Sequence, residues 1–124
     1  MKIAICPGSY DPVTYGHLDI IKRSAVLVDK LIVTVFVNPS KKASLFSIEE
    51  RLDMLRETTK DIPNVEVDTS TGLLNVYAAS KNCHLLIRGL RAFSDFEYEF
   101  QRALMIKKID PTLETAFFMT DGRY

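Results

Sequence analysis

The chain has 124 residues, of which 47% are hydrophobic and 26% charged, a composition typical of one soluble globular domain. Sixteen basic residues balance sixteen acidic ones, so a strong sequence-independent grip on DNA or RNA is not expected and any anion site must be local. No apolar segment is long enough for a signal peptide or a membrane span, which predicts a cytoplasmic protein without a membrane partner. Cys6 and Cys83 lack CxxC spacing, so we expect two reduced thiols rather than a disulfide or a zinc site.

Five apolar or β-branched runs predict strands, and helical patterns fill the intervals between them. The runs are Ile3–Cys6, Leu31–Val37, Val65–Thr69, Leu85–Arg88 and Thr115–Thr120. This alternation predicts an α/β fold, namely a doubly wound, Rossmann-like parallel sheet of five strands with helices on both faces, in a single domain over residues 1–124. The second run is apolar or β-branched throughout instead of alternating, as expected for a central strand that is covered on both faces.

Helix signals follow the first, second and fourth strands. Leu18, Ile21, Ala25 and Val28 have the 3-4-3 spacing of a buried helical stripe. The sequences SIEE at 47–50 and SDFE at 94–97 match the capping box, in which a serine oxygen and a glutamate carboxylate satisfy free backbone amides. We therefore expect helices to begin after Ser47 and after Ser94.

The stretch GSYDPVTYGH, residues 8–17, joins the first strand to the first helix. A glycine-containing turn at this place directs backbone amides and the positive end of the helix dipole at one spot, which favours phosphate. We expect Gly8 to allow close backbone approach, Gly16 to permit a tight helix entry, and a neutral His17 to donate to a phosphate oxygen. The alternative is an ordinary loop with an Asp11-Pro12 turn, in which His17 is a partly exposed cap.

The fourth predicted strand also ends in a glycine-bearing turn that leads into a helix. The segment IRGLRAFSDFEYEF, residues 87–100, carries Arg88 and Arg91 on a glycine-bearing turn before a helix, and NPSKK at 38–42 follows the second strand. If the first and fourth strands are neighbours where the strand order reverses, these turns line one crevice at the carboxyl edge of the sheet. Converging basic groups at this edge predict a polyanionic ligand.

These residues carry a family resemblance. The segments GSYDPVTYGH, NPSKK, SIEER, GLL at 72–74 and RGLRA-x-SDFEYE resemble, in order along the whole chain, the bacterial-type phosphopantetheine adenylyltransferases among the (H/T)xGH nucleotidyltransferases. The resemblance implies a nucleotidyltransferase fold and transfer of AMP from ATP to 4′-phosphopantetheine, giving dephospho-coenzyme A and pyrophosphate with Mg²⁺ as cofactor. It also implies a homohexamer and coenzyme A as a feedback ligand.

The resemblance further implies roles for single residues. His17 would stabilise the α-phosphate in the transition state, and Ile106 stands where the family usually has an asparagine near the pantetheine arm. Contacts to the acceptor are implied for Ser9, Lys41, Leu73, Leu74 and Arg88. Contacts to ATP are implied for Ser9, Tyr10, His17, Gly89, Leu90, Arg91, Glu99 and Tyr124. No residue is implied as a metal ligand, and His84 is expected to be structural.

Three alternatives remain open at this stage. A nicotinate-nucleotide adenylyltransferase or a glycerol-phosphate cytidylyltransferase would share the first loop but not RGLRA-x-SDFEYE. A non-catalytic nucleotide or coenzyme A binding module is the third, because the resembled family continues beyond Tyr124 with a serine-rich turn and a helical region. We expect a chain without that turn to bind the acceptor but to adenylate it slowly.

Overall fold

The computed structural model describes residues 1–37, 44–91, 93–121 and 123, and for residues 93–95 it describes the backbone alone. Strands and helices alternate from end to end, as the sequence predicts. The strands are β1 (Ile3–Gly8), β2 (Lys30–Phe36), β3 (Val65–Ser70), β4 (Leu85–Leu90) and β5 (Glu114–Met119). The helices are α1 (Tyr15–Ala25), α2 (Ile48–Thr59), α3 (Leu74–Ser80) and α4 (Phe93–Ile109).

The five strands form one parallel sheet in the order β3-β2-β1-β4-β5. From β1 the chain moves outward through β2 to β3, and it then returns to place β4 on the other side of β1. The strand order therefore reverses between β1 and β4, which confirms the neighbours expected for a crevice at that edge.

Side chains of the sheet alternate between two hydrophobic clusters, because successive residues of a strand face opposite sides. Ala4 and Cys6 of β1 pack on one side, in a cluster that also contains residues of α1 and α2. Ile5 packs on the other side with Tyr77 of α3, and Ile106 of α4 packs against that second cluster. Helices on both faces confirm the doubly wound architecture.

The buried face of α1 differs from the predicted stripe. The fully covered residues are Ile20, Ile21, Ser24 and Ala25, whereas Leu18 is only partly covered. The helix ends at Ala25, so Val28 packs against the core from the following loop. Ser24 tolerates burial because its hydroxyl donates to the carbonyl of Ile20 at 2.7 Å.

One of the two predicted capping boxes is confirmed. Ser47 caps α2, with its oxygen accepting from the Glu50 amide at 3.1 Å while the Glu50 carboxylate accepts from the Ser47 amide at 3.0 Å. The prediction for Ser94 is wrong, because α4 begins at Phe93 and places Ser94 within its first turn. The connection from β4 is so short that the chain enters the helix as soon as it leaves the sheet.

Both cysteines are buried and free, as expected from their spacing. Among the helices of the described ranges, none combines the length and the apolar composition that crossing a membrane requires.

A buried polar network fixes α3 to the sheet. The Tyr77 hydroxyl donates to Asp68 of β3 at 2.7 Å and accepts from the fully buried Thr34 of β2 at 3.0 Å. Lys81, just after α3, forms an ion pair with Asp68 at 3.3 Å. The network holds α3 against β2 and β3, and the start of α3 lies at the carboxyl edge of the sheet.

We expect Tyr77→Phe to lower the free energy of unfolding by about 1 to 3 kcal/mol, because the buried Thr34 hydroxyl loses its acceptor. Urea unfolding followed by circular dichroism measures this change. Tyr98→Phe is the matched control, since that ring is 64% exposed, and it should change the free energy by less than about 0.5 kcal/mol. Equal effects of the two substitutions would contradict the role of the network.

Candidate active site

An open crevice of about 1500 Å³ lies at the carboxyl edge of the sheet, where β1 and β4 are neighbours. Its lining comes from most strand exits: the loop from β1 into α1, the end of β2, the start of α2, the start of α3, the end of β4 with the turn after it, one face of α4, and residues after β5. The predicted site residues among its lining are Ser9, Tyr10, His17, Leu73, Leu74, Arg88, Gly89, Arg91 and Glu99. The structure thus brings together residues that the sequence places at separate strand exits.

Three predicted residues do not join this group. Lys41 and Tyr124 lie outside the described residues, as does the NPSKK segment. Leu90 does not line the crevice; its carbonyl accepts from the Thr120 amide at 2.9 Å, where β4 and β5 end. Their contacts to ligand therefore stay predictions.

The loop after β1 is built around a buried tyrosine. The Tyr10 ring is 3% exposed, and its hydroxyl donates to the carbonyl of Cys6 at 2.9 Å. A side chain at Gly8 would bring its Cβ within 3.1 Å of that ring, so glycine is required here for close packing. The Tyr10 side chain therefore supports the loop from inside the protein. Gly16 lies in the first turn of α1, which begins at Tyr15.

Two side chains that the sequence reasoning missed hold this loop in place. Arg51 of α2 donates to the carbonyl of Ser9 at 3.1 Å and lies 3.4 Å from the carbonyl of Ser47. Asp11 accepts from the amides of Leu45 and Phe46 at 2.9 and 2.8 Å. Arg51 directly follows the SIEE pattern, but that pattern does not indicate that Arg51 is buried. Only the fold shows this burial.

His17 occupies the third position of α1 and takes part in a capping box of its own. The backbone N–H of Thr14 donates to His17 Nδ1 at 3.0 Å, while the His17 amide donates to Thr14 Oγ1 at 3.2 Å. A backbone N–H can only donate, so Nδ1 is the acceptor and the neutral ring carries its proton on Nε2. The Tyr10 ring packs edge-on against the imidazole, with centroids 5.0 Å apart.

The surroundings of His17 disfavour protonation of the ring, although the residue is partly exposed. Partial removal from bulk water lowers the pKa of His17, and the positive charge of Arg91 lowers it further. The positive end of the helix dipole acts in the same direction. His17 therefore caps α1, as expected for an ordinary loop, and its neutral ring also has an N–H donor in the crevice.

The end of β4 and the facing side of α4 bring two arginines to one carboxylate. Arg88 lies within β4 and not, as the sequence predicts, on the turn after it. Arg88 Nε lies 3.5 Å from one oxygen of Glu99, and Arg102 lies 3.5 Å from the other. The side chains of Arg88 and Glu99 are 13% and 16% exposed. Burial lowers the pKa of Arg88, the charge of Arg102 lowers it further, and Glu99 opposes both effects. Arg102 is a third lining residue that the sequence reasoning missed.

The start of α3 supplies an apolar wall. Gly72 has a φ of +87°, which favours glycine and lets the chain turn sharply from β3 into α3. Leu73 is exposed, whereas Leu74 packs with Ile106 against the second hydrophobic cluster. Ile106 faces the crevice as well, next to the apolar wall that these leucines form.

The sequence matches the cytidylyltransferase-like family over residues 5–124. It is 61% identical to a phosphopantetheine adenylyltransferase from Caldanaerobacter subterraneus subsp. tengcongensis and 58% identical to one from Desulfosudis oleivorans. Both likenesses cover the whole chain, which spans 77% and 73% of those proteins. The chain belongs to the phosphopantetheine adenylyltransferases of the cytidylyltransferase-like family. The resemblance carried by the sequence motifs is thereby confirmed.

Among solved structures, the lipopolysaccharide core biosynthesis protein from Thermoplasma volcanium GSS1 has a TM-score of 0.67 with this chain. The likeness covers 98% of this chain and 97% of that one, at 19% identity. At this identity the likeness shows the shared fold alone.

Among the residues that the structure describes, the crevice of this phosphopantetheine adenylyltransferase family member offers no side-chain site for Mg²⁺. Within the described ranges, no three His, Cys, Asp or Glu side chains are grouped so that they could hold a metal ion. Of the carboxylates that line the crevice there, Asp11 accepts from backbone amides and Glu99 lies between two arginines. These donors do not fit a protein-held ion, because Mg²⁺ requires oxygen ligands that are not already paired.

We expect Arg91→Gln to raise the pKa of His17, because the substitution removes the positive charge that opposes protonation of the ring. Proton NMR of the imidazole Cε1–H as a function of pH measures this change. In the unsubstituted chain His17 should titrate below its ordinary value of about 6.5. Arg56→Gln is the matched control, because Arg56 is an exposed residue of α2 that pairs with Asp53. If Arg91→Gln leaves the pKa of His17 unchanged, Arg91 does not act on the ring and this description of the site is contradicted.

Proposed function

We propose that this chain transfers AMP from ATP to 4′-phosphopantetheine, giving dephospho-coenzyme A and pyrophosphate in coenzyme A biosynthesis. The observation that carries the proposal is the convergence of His17 with Arg88 and Arg91 in one crevice, in a chain 61% identical to a phosphopantetheine adenylyltransferase. A donor beside a cluster of arginines suits a reaction between two phosphate esters.

The proposed step is a single displacement at the α-phosphorus of ATP. An oxygen of the acceptor phosphate forms the new bond to this phosphorus, and the bond from the α-phosphorus to the oxygen that bridges to the β-phosphorus breaks. Pyrophosphate leaves with that electron pair. The acceptor phosphate has a second pKa of about 6, so it is largely a dianion at neutral pH and needs no general base.

The work of the protein is therefore to neutralise and align two anions. His17 Nε2–H donates to the α-phosphate as negative charge develops there, and a neutral ring does so without a proton transfer. Arg88 and Lys41 hold the acceptor phosphate, while Leu73 and Leu74 contact the pantetheine arm. The proposed nucleotide contacts are Ser9, Tyr10, Gly89, Leu90, Arg91, Glu99 and Tyr124. Mg²⁺ enters as part of MgATP, bound through phosphate oxygens and water.

Assembly and location form a second part of the proposal. Large apolar side chains of α4 that lie outside the crevice lining are exposed in the single chain, among them Phe96, Phe100 and Leu104. An unpartnered apolar surface of this kind supports association between copies of the chain, for which the family resemblance implies a homohexamer. We place the enzyme in the cytoplasm, with coenzyme A as a feedback ligand because it contains the acceptor's pantetheine arm.

Pyrophosphate release tests the function. With ATP and 4′-phosphopantetheine the chain should release pyrophosphate, whereas nicotinate mononucleotide with ATP, or glycerol phosphate with CTP, should give only the background rate. The 124-residue chain should be assayed, and so should a chain with a family-like extension beyond residue 124. Pyrophosphate release with one of the other acceptors would identify a related transferase. If both chains bind the substrates but release no pyrophosphate, the protein is a binding module.

His17→Ala should lower kcat by about 100- to 1000-fold, because a donor aimed at developing charge acts mainly in the transition state. The affinity for ATP, measured by isothermal titration calorimetry, should change little. His84→Ala is the matched control, since this exposed histidine lies outside the crevice lining. Equal losses in ATP affinity and in kcat would assign His17 to ground-state binding instead.

A further inference from the structure

Arg102 has no role in the chemistry described so far, yet it lies in the crevice. Its guanidinium is 3.5 Å from Glu99, and its side chain is 41% exposed. The same carboxylate meets the nearly buried Arg88 through its other oxygen. Glu99 thus stands between two guanidiniums and keeps them in one place.

The face of α4 that lines the crevice changes in character along its length. Glu99, Arg102, Ile106 and Ile109 follow the 3-4-3 spacing of one helical face, and all four line the crevice. The charged pair lies toward the turn after β4, and the two isoleucines follow one turn and two turns later. A ligand with an anionic head and a long, less polar arm matches this order.

Arg91, after β4, and Arg102, on α4, act on different groups in the crevice. Arg91 acts on His17, where its positive charge lowers the pKa of the imidazole. Arg102 acts on Arg88, where its positive charge lowers the pKa of the guanidinium. Two separate cationic groups suit a reaction in which a donor phosphate and an acceptor phosphate must be held apart until they align.

We propose that Arg102 is a second guanidinium for the acceptor phosphate, held beside Arg88 by Glu99, and that it makes the site selective for the phosphorylated acceptor. This inference rests on the proposed function. Arg88 and Glu99 together have no net charge, whereas Arg88, Glu99 and Arg102 together have a net charge of +1. Arg102 therefore supplies the positive charge that a phosphate dianion in contact with both arginines requires. Each guanidinium has five N–H donors, and one contact to a carboxylate leaves donors for phosphate oxygens.

Binding measurements on matched variants test the proposal. Arg102→Gln removes the charge, Arg102→Lys keeps a charge without the planar fork, and Arg56→Gln is the control on an exposed arginine of α2. Isothermal titration calorimetry measures 4′-phosphopantetheine, pantetheine without its phosphate, and α,β-methylene ATP for each protein. Thermal unfolding shows whether each variant folds. If Arg102→Gln does not fold, Arg102→Lys still tests the proposal.

Arg102→Gln should weaken 4′-phosphopantetheine binding by about 10- to 100-fold, the size expected for hydrogen bonds to a charged group. Binding of pantetheine and of the ATP analogue should stay nearly unchanged. The affinity of Arg102→Lys for 4′-phosphopantetheine should lie between those of Arg102→Gln and the unsubstituted chain, and the affinity of Arg56→Gln should equal that of the unsubstituted chain. Equal losses for both acceptors, a loss confined to the ATP analogue, or no loss would each overturn the role of Arg102. If the unsubstituted chain itself does not bind 4′-phosphopantetheine, the proposed function fails, and the inference fails with it.

Discussion

The placement of β4 directly beside β1 is the constraint on which the rest of the site depends. The chain goes outward from β1 through β2 to β3 before it returns, so the first and fourth strand exits meet where the strand order reverses. His17 comes from one exit and the arginines from the other. Neither exit alone forms an anion site of this kind, because one supplies a neutral donor and the other supplies the charge.

Electrostatic balance in the crevice is kept by contacts within the protein. Arg88 is nearly buried, and an isolated guanidinium at such a place would be costly. Glu99 offsets that cost, and it also reduces the repulsion between Arg88 and Arg102. Around the first loop, Arg51 and Asp11 bind backbone groups. The side chains that define the shape of the crevice are thus mostly held by partners inside the chain before any ligand arrives.

Much of the fold could be predicted from the sequence because hydrophobic periodicity is a local property. The five strands appear within about two residues of their predicted ends, and the capping box at Ser47 is present as its spacing indicates. The box at Thr14 was missed because histidine takes the place usually held by glutamate or glutamine. Arg51 and Arg102 were missed for another reason. Arg51 binds the carbonyl of Ser9, 42 positions away. Arg102 pairs with the nearby Glu99, but this pair matters because Glu99 also meets Arg88 of β4, and no local pattern encodes that meeting.

The central claim is that the acceptor phosphate attacks the α-phosphorus directly while both substrates occupy one crevice. The stereochemical course at that phosphorus tests it most directly. ATP made chiral at the α-phosphorus with sulfur and an oxygen isotope is converted to product with 4′-phosphopantetheine, and phosphorus NMR then gives the configuration of the product. A single in-line displacement predicts inversion. Retention would mean two displacements through an adenylylated side chain such as His17, and it would contradict the account.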